Sequence, residues 1–264
     1  MKLNKKAILV ISVGTISMGD KGIKIIDKIE EGIQSVYPDY IIYRAFTSKF
    51  IINKLKENYN YEVDTVSSAM TRIIEDNITE LIIQPTHIID GVENNIMISN
   101  IKKYKKYIES IYIGRPLLDS YEDYNVLADN IIKEFSNIPS EEAVFLIGHG
   151  TEHVANSCYL DINNIIHRKG YNNIRIGTIK GSLSVYNMIE SIERCNYNKI
   201  YLTPLMIVVG SHARNDIFGE SHHSWRAILQ KRGYNIENIS RGLGEYAFIR
   251  RMIIEHISRA DLLE

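Results

Sequence analysis

Two segments of the chain share one design, in which a short apolar run stops at a glycine and leads to a histidine. The first is Phe145-Leu146-Ile147-Gly148-His149-Gly150-Thr151, and the second is Leu205-Met206-Ile207-Val208-Val209-Gly210-Ser211-His212. Apolar runs of this length read as buried strands, and the glycines read as the turns that end them. Each histidine is then expected at the carboxyl end of a strand, where open parallel sheets bind their ligands. Imidazole nitrogen binds first-row divalent metals and takes up protons near neutral pH. One such histidine reads equally well as a strand tip bonded to a carbonyl. Two of them in the same half of the chain point to a shared site.

An internal match adds a carboxylate. Leu81-Ile82-Ile83-Gln84-Pro85 parallels Ile200-Tyr201-Leu202-Thr203-Pro204, and each is followed by an apolar stretch and a glycine, Gly91 or Gly210. Extending the match sets Glu93 opposite His212. His149, His212 and Glu93 then supply the nitrogen and oxygen donors of an open metal site. The other histidines are weaker candidates. His87 lies in the loop after the first-half strand and reads as pocket lining or as a structural bond. His153, four residues past His149, reads as support for it or as an exposed helix start. His222 and His223 are adjacent, cannot share a helix face and read as surface residues, while His167 and His256 fall on helical segments. Cys158 and Cys195 have no metal-like spacing and read as small core residues of a reduced compartment.

These positions require alternating elements. Ala7 to Val13 reads as a strand, and Ile23, Ile25, Ile26, Ile29 and Ile33 mark one face of the helix after it. Further strands are expected at 40–46, 80–84, 110–114, 174–179 and 199–202. Helices are expected after Thr47-Ser48 and over 66–75, 93–107, 158–167, 225–231 and 246–263, with others running to Phe135 and to Arg194. The lysines between 102 and 106 read as a solvated face. Strand and helix in alternation, twice over, predict an α/β fold of two similar Rossmann-like lobes with parallel sheets and an active-site cleft between them. The break at Asn137-Ile138-Pro139-Ser140 sets the lobes at 1–138 and 139–264, with the C-terminal helix packing back on the first.

With 264 residues and a formal charge of -1, the chain can bury a substantial core and lacks the basic face of a nucleic-acid binder. Lys2, Lys5 and Lys6 before the first apolar run imitate a signal peptide, but no cleavage site closes the run. It reads as a strand of a cytoplasmic protein with no membrane span. No phosphate-binding loop, dinucleotide fingerprint or Gly-x-Ser-x-Gly elbow is present, so neither a nucleotide nor an organic cofactor is expected. A homo-oligomer is compatible with the sequence, which does not set the assembly.

The motifs Val13-Gly14-Thr15, Arg44-Ala45-Phe46-Thr47-Ser48, His87-Ile88-Ile89-Asp90-Gly91, Pro116-Leu117-Leu118, Gly148-His149-Gly150, Pro204-Leu205-Met206 and Gly210-Ser211-His212-Ala213-x-Asn215-Asp216, with Gly242-Leu243-Gly244-Glu245, follow one another in order along the chain. Together they resemble the anaerobic cobalt chelatases of cobalamin biosynthesis, class II chelatases related in fold to ferrochelatase. The resemblance implies a lyase that inserts cobalt(II), its substrate metal, into sirohydrochlorin without ATP. It also implies that His149 and His212 bind the metal, with His149 accepting protons. Where the family has a metal-binding glutamate this chain has Lys180, a charge of the wrong sign beside a cation. Glu93 is one replacement ligand; alternatively Lys180 binds a carboxylate of the tetrapyrrole, with His87, Arg44, Arg115 and Arg214 as further substrate contacts. Two other functions stay open: a tetrapyrrole-binding or metal-carrier protein weakened by Lys180, and a chelatase for iron or nickel.

Overall fold

The computed structural model describes residues 5–264, so Lys2 lies outside the described residues. The chain divides into two compact units, one holding the residues up to Asp119 together with Ala247–Glu264, the other Ser120–Tyr246.

In the first unit the order is β1 (Lys6–Ser12), α1 (Ile23–Val36), β2 (Ile41–Phe46), α2 (Lys49–Tyr59), β3 (Asp64–Thr65), α3 (Val66–Glu75), β4 (Glu80–Pro85), α4 (Val92–Ile101) and β5 (Ser110–Ile113). The second unit runs through α5 (Tyr121–Phe135), β6 (Glu142–Gly148), α6 (Ser157–Arg168), β7 (Ile174–Thr178), α7 (Val185–Ile192), β8 (Lys199–Pro204), α8 (Trp225–Lys231) and β9 (Asn235–Asn238). The chain then returns to the first unit as α9 (Ala247–Ser258) and β10 (Asp261–Leu262).

The sheet orders are β10-β5-β4-β1-β2-β3 and β7-β6-β8-β9. Every pairing is parallel except that of β10 with β5. The run β2-β1-β4-β5 of the first sheet repeats as β7-β6-β8-β9 in the second, the doubly wound order whose ligands bind where the winding reverses. Even single hydrogen bonds repeat. Thr86 N–H donates to Ile11 O at 2.8 Å, and Leu205 N–H donates to Ile147 O at 2.8 Å, each just past the strand-ending proline of the matched segments. Both faces of the central strands are covered, so β1 and β6 are buried almost throughout and read as continuous apolar runs. Serines start several of the helices: Ser48, Ser184 and Ser224 each accept a backbone N–H from the first turn, and Ser120 forms a capping box with Asp123.

Three expectations are corrected. The division set between 138 and 139 falls inside the second unit, because α5 packs against α6 there. The helix expected over 93–107 ends at Ile101 and tightens into a 3-10 segment at Lys102–Tyr107. Leu205–Val209 is not a strand. Strand β8 ends at Pro204, and the following residues bend, with Leu205 and Val209 turned into the core.

Candidate functional site

Strand β6 ends at Gly148, and the next residue is His149. Gly148 is required here because a Cβ would press to within 2.7 Å of the ring of Tyr159, buried on α6. Gly150 has φ +70 and passes so close to the carbonyl of Lys180 that a side chain would collide with it. The loop after β7 is stitched to the same place: Ile179 N–H donates to Gly148 O and Lys180 N–H to His149 O, both at 2.9 Å. His149 is therefore held from both sides of its backbone, with Lys180 as its neighbour.

His212 arrives differently. It is the second residue of a short helical segment that continues as a π-helical turn at Ala213–Ile217, a geometry often found at functional sites. The bends before it rest on the Gly242-Leu243-Gly244 segment, where Leu243 N–H donates to Met206 O at 2.7 Å and Gly244 N–H to Ile207 O at 3.0 Å. This explains the glycine of that motif, since a Cβ on Gly242 would lie 2.6 Å from Ile207 O.

The two imidazoles meet, with ring centroids 4.6 Å apart and planes at 72°. His149 Nδ1–H donates to Gly150 O at 2.9 Å, and His212 Nδ1–H donates to Asp216 Oδ2 at 2.7 Å. Because a carbonyl and a carboxylate only accept, both Nδ1 atoms carry the proton and both Nε2 lone pairs are left for a ligand. A carboxylate behind a histidine is the arrangement that orients metal-binding imidazoles and raises their basicity. Burial pushes the His149 pKa down, and the His212 and Lys180 charges push the same way, against the Gly150 carbonyl and Asp216, which raise it. That ring stays neutral, and able to bind metal, to lower pH than a free imidazole.

Asp216 is the functional residue to which sequence reasoning gave no role. The signal was present, for Asp216 stands four residues after His212, the spacing at which side chains on a helical turn meet. Replacing Asp216 by alanine is expected to weaken metal binding by about 10- to 100-fold. Cobalt(II) titration of the variant measures this directly, with the His149 imidazole left intact.

The remaining candidates separate. Lys180 is exposed beside His149, and Arg214 is exposed on the His212 turn. In the first unit, His87 lies in the β4–α4 connection and Glu93 follows it on α4. His87 is buried, and burial pushes its pKa down. Its Nδ1 faces Asn94 Oδ1 at 3.4 Å, Asn94 donates to Asp90 at 2.9 Å, and among the described residues Nε2 has no hydrogen-bond partner. Glu93 is exposed in the first turn of α4. Arg115 follows β5 and is ion-paired with Asp119 at 3.6 Å and Asp261 at 3.2 Å.

Arg44 is a correction. It lies inside β2, its side chain only 17% exposed. Its guanidinium donates to both oxygens of Glu30 at 2.7 and 2.6 Å, to Asp27 at 2.5 Å and to Tyr61 Oη at 2.7 Å. Four of its five N–H donors are thus committed to protein partners, which leaves no paired N–H groups to grip a substrate carboxylate.

Other residues have structural parts. His153 Nδ1 accepts the Ala155 N–H and so caps a 3-10 turn rather than standing one helical turn from His149. His256 is buried, its Nδ1 3.2 Å from Arg115 O. Cys158 is buried too, and burial pushes its thiol up to about 12. Among the described residues no group of three or more His, Cys, Asp or Glu side chains is gathered for a metal, and no helix is long and apolar enough to cross a membrane.

Comparison with known proteins decides the family. The profile described as cobalt chelatase (CbiK) matches residues 6–261, nearly the whole chain. The chain belongs to the cobalt chelatase family. A sirohydrochlorin cobaltochelatase of Salmonella typhimurium is 30% identical over 256 residues, covering 97% of this chain and 96% of that relative. The sirohydrochlorin cobaltochelatase CbiKC of Nitratidesulfovibrio vulgaris is 26% identical over 267 residues, covering 98% and 92%. In fold the cobalt chelatase resembles SirB from Bacillus subtilis, solved with Fe3+, at a TM-score of 0.67 and 14% identity, with 97% of this chain and 95% of that one covered.

Proposed function

We propose that this cobalt chelatase inserts cobalt(II) into sirohydrochlorin, without a nucleotide, in anaerobic cobalamin biosynthesis. The reaction exchanges two pyrrole N–H protons for one divalent metal, with no change of oxidation state. The observation that carries the reading is the pair of imidazoles, each with Nδ1 anchored and Nε2 open. In this reading His149 and His212 bind the incoming metal, and His149 takes up one of the two pyrrole protons as the macrocycle replaces it, the other leaving to solvent water. Lys180 stands at the position where the family has a metal-binding glutamate.

Lys180 then serves the substrate. An ammonium beside His149 repels a divalent cation but suits a peripheral carboxylate of the macrocycle, a charge-assisted contact. Arg214, on the His212 turn, is assigned the same role. The reading includes a cytoplasmic setting, supported by the unpaired Cys158 and Cys195.

The test is anaerobic absorbance of the protein with sirohydrochlorin and, in parallel, cobalt(II), nickel(II) or iron(II), set against the rate without protein. Cobalt is expected to give the fastest spectral change. Macrocycle binding with no acceleration by any metal would sink the reading and leave a carrier. Lys180→Ala tests the residue itself: macrocycle affinity should fall roughly tenfold or more, the worth of a hydrogen bond to a charged group. Cobalt affinity should hold or rise, and a fall would remove Lys180 from the substrate side.

A further inference from the structure

The loop after the His212 turn carries two histidines that the chemistry above does not use. His222 and His223 are both exposed, with ring centroids 3.7 Å apart and planes tilted by 45°. Neighbouring residues in an extended chain send their side chains to opposite faces. Here a turn brings both rings to the same side. Ser224 braces it, donating from its backbone N–H to Ser221 O at 2.8 Å and from its hydroxyl to Gly219 O at 2.6 Å. Ser224 is buried, and through its cap on α8 it ties the turn to the core. At the other end Gly219 packs against the backbone of Asn215, so closely that a Cβ there would collide with the Asn215 carbonyl. Asn215 stands beside Asp216, which orients His212. The histidine pair is therefore held on a loop anchored to the turn that positions an inner-site imidazole.

The geometry points to an outer binding site for a divalent first-row metal at His222 and His223, from which the inner pair His149 and His212 is supplied. This rests on the reading of the chain as a metal-inserting enzyme. Two imidazoles suit cobalt(II) or its neighbours and discriminate against magnesium and calcium, which prefer oxygen. The inner imidazoles each have a fixed Nδ1 partner, whereas among the described residues neither outer ring has a hydrogen-bond partner. Without that orientation the outer pair binds more weakly. Weak binding is what a collecting site requires, since the ion must leave it as readily as it arrives.

The experiment uses cobalt(II) alone, without macrocycle, in equilibrium dialysis of four full-length proteins. They are the wild type, His149→Ala/His212→Ala, His222→Asn/His223→Asn, and the variant carrying all four changes. The inner variant is expected to retain one weakly held cobalt per chain that magnesium does not displace, and the fourfold variant to lose it. An inner variant that binds no cobalt, or a fourfold variant that binds as much as the inner one, overturns the outer site. In turnover, His222→Asn/His223→Asn is expected to raise KM for cobalt by about tenfold with kcat and KM for the macrocycle unchanged. An unaltered KM for cobalt overturns the supplying role. Dialysis decides the outer site even if the wild type proves inactive with sirohydrochlorin, so failure of the two readings can be told apart.

Discussion

Replacing His149 by alanine is expected to lower the rate of metal insertion by about 10²- to 10⁴-fold, the range lost when a group that moves a proton in the transition state is removed. His149 is asked to do two things in sequence, so its loss cannot be made good by His212 alone. In the proposed reaction the imidazole first holds the cation through Nε2. When the pyrrole nitrogens replace it, the freed lone pair is positioned to take a proton. Stability should barely change, because among the described residues the half-buried ring has a single hydrogen bond, to Gly150 O, and the backbone on either side is held by Gly148, Ile179 and Lys180. Anaerobic kinetics and a thermal unfolding curve on the same preparation make the check. Unchanged turnover with a folded protein would remove His149 from the site altogether.

Arg44→Ala is expected to do the opposite, costing about 3–5 kcal/mol of stability, as breaking a buried ion pair does by stranding one partner. The stranded group is Glu30, whose side chain is only 15% exposed. Burial already pushes its pKa above the usual carboxylate range despite the arginine. A carboxyl with a raised folded-state pKa contributes stability that is complete at acid pH and is lost as pH rises through that value. The deficit of the variant should therefore shrink on acidification and be largest at neutral pH and above. Denaturant melts at several pH values measure it. A stable Arg44→Ala protein with weakened macrocycle binding would restore the substrate role that the geometry takes from this residue.

Arg44 also shows what a sequence discloses and what it withholds. Its place in an apolar strand was legible, but its partners are Asp27 and Glu30, on a helix that the sequence places without saying which face its acids present. The start of the site was legible because Phe145–Ile147 is apolar throughout and Gly148 must end it. The same pattern misled at Leu205–Val209, where Pro204 closes the strand and the run is buried by bends rather than by a sheet. Asn235–Asn238 escaped notice because an exposed edge strand needs no apolar alternation. The pairing of His149 with His212 was inferred from repetition alone. Their meeting at 4.6 Å depends on the winding reversal between β6 and β8, which no local pattern encodes. Asp216 lay within a quoted motif, yet its hydrogen bond depends on the π-helical turn.

The route of the chain between its units bears on how the protein is made. The second unit is one uninterrupted stretch, so during synthesis it can close its sheet and bring His149 to His212 as soon as Tyr246 has emerged. The first unit cannot. Ile249, Met252, Ile253 and Ile257 of α9 are buried in it, and Leu263 joins the core on one face of its sheet. On the ribosome, β1 to β5 must wait through the whole of the inserted unit for that helix. The half that carries the histidines matures first, and the half that carries Glu93 is completed only when α9 has been made.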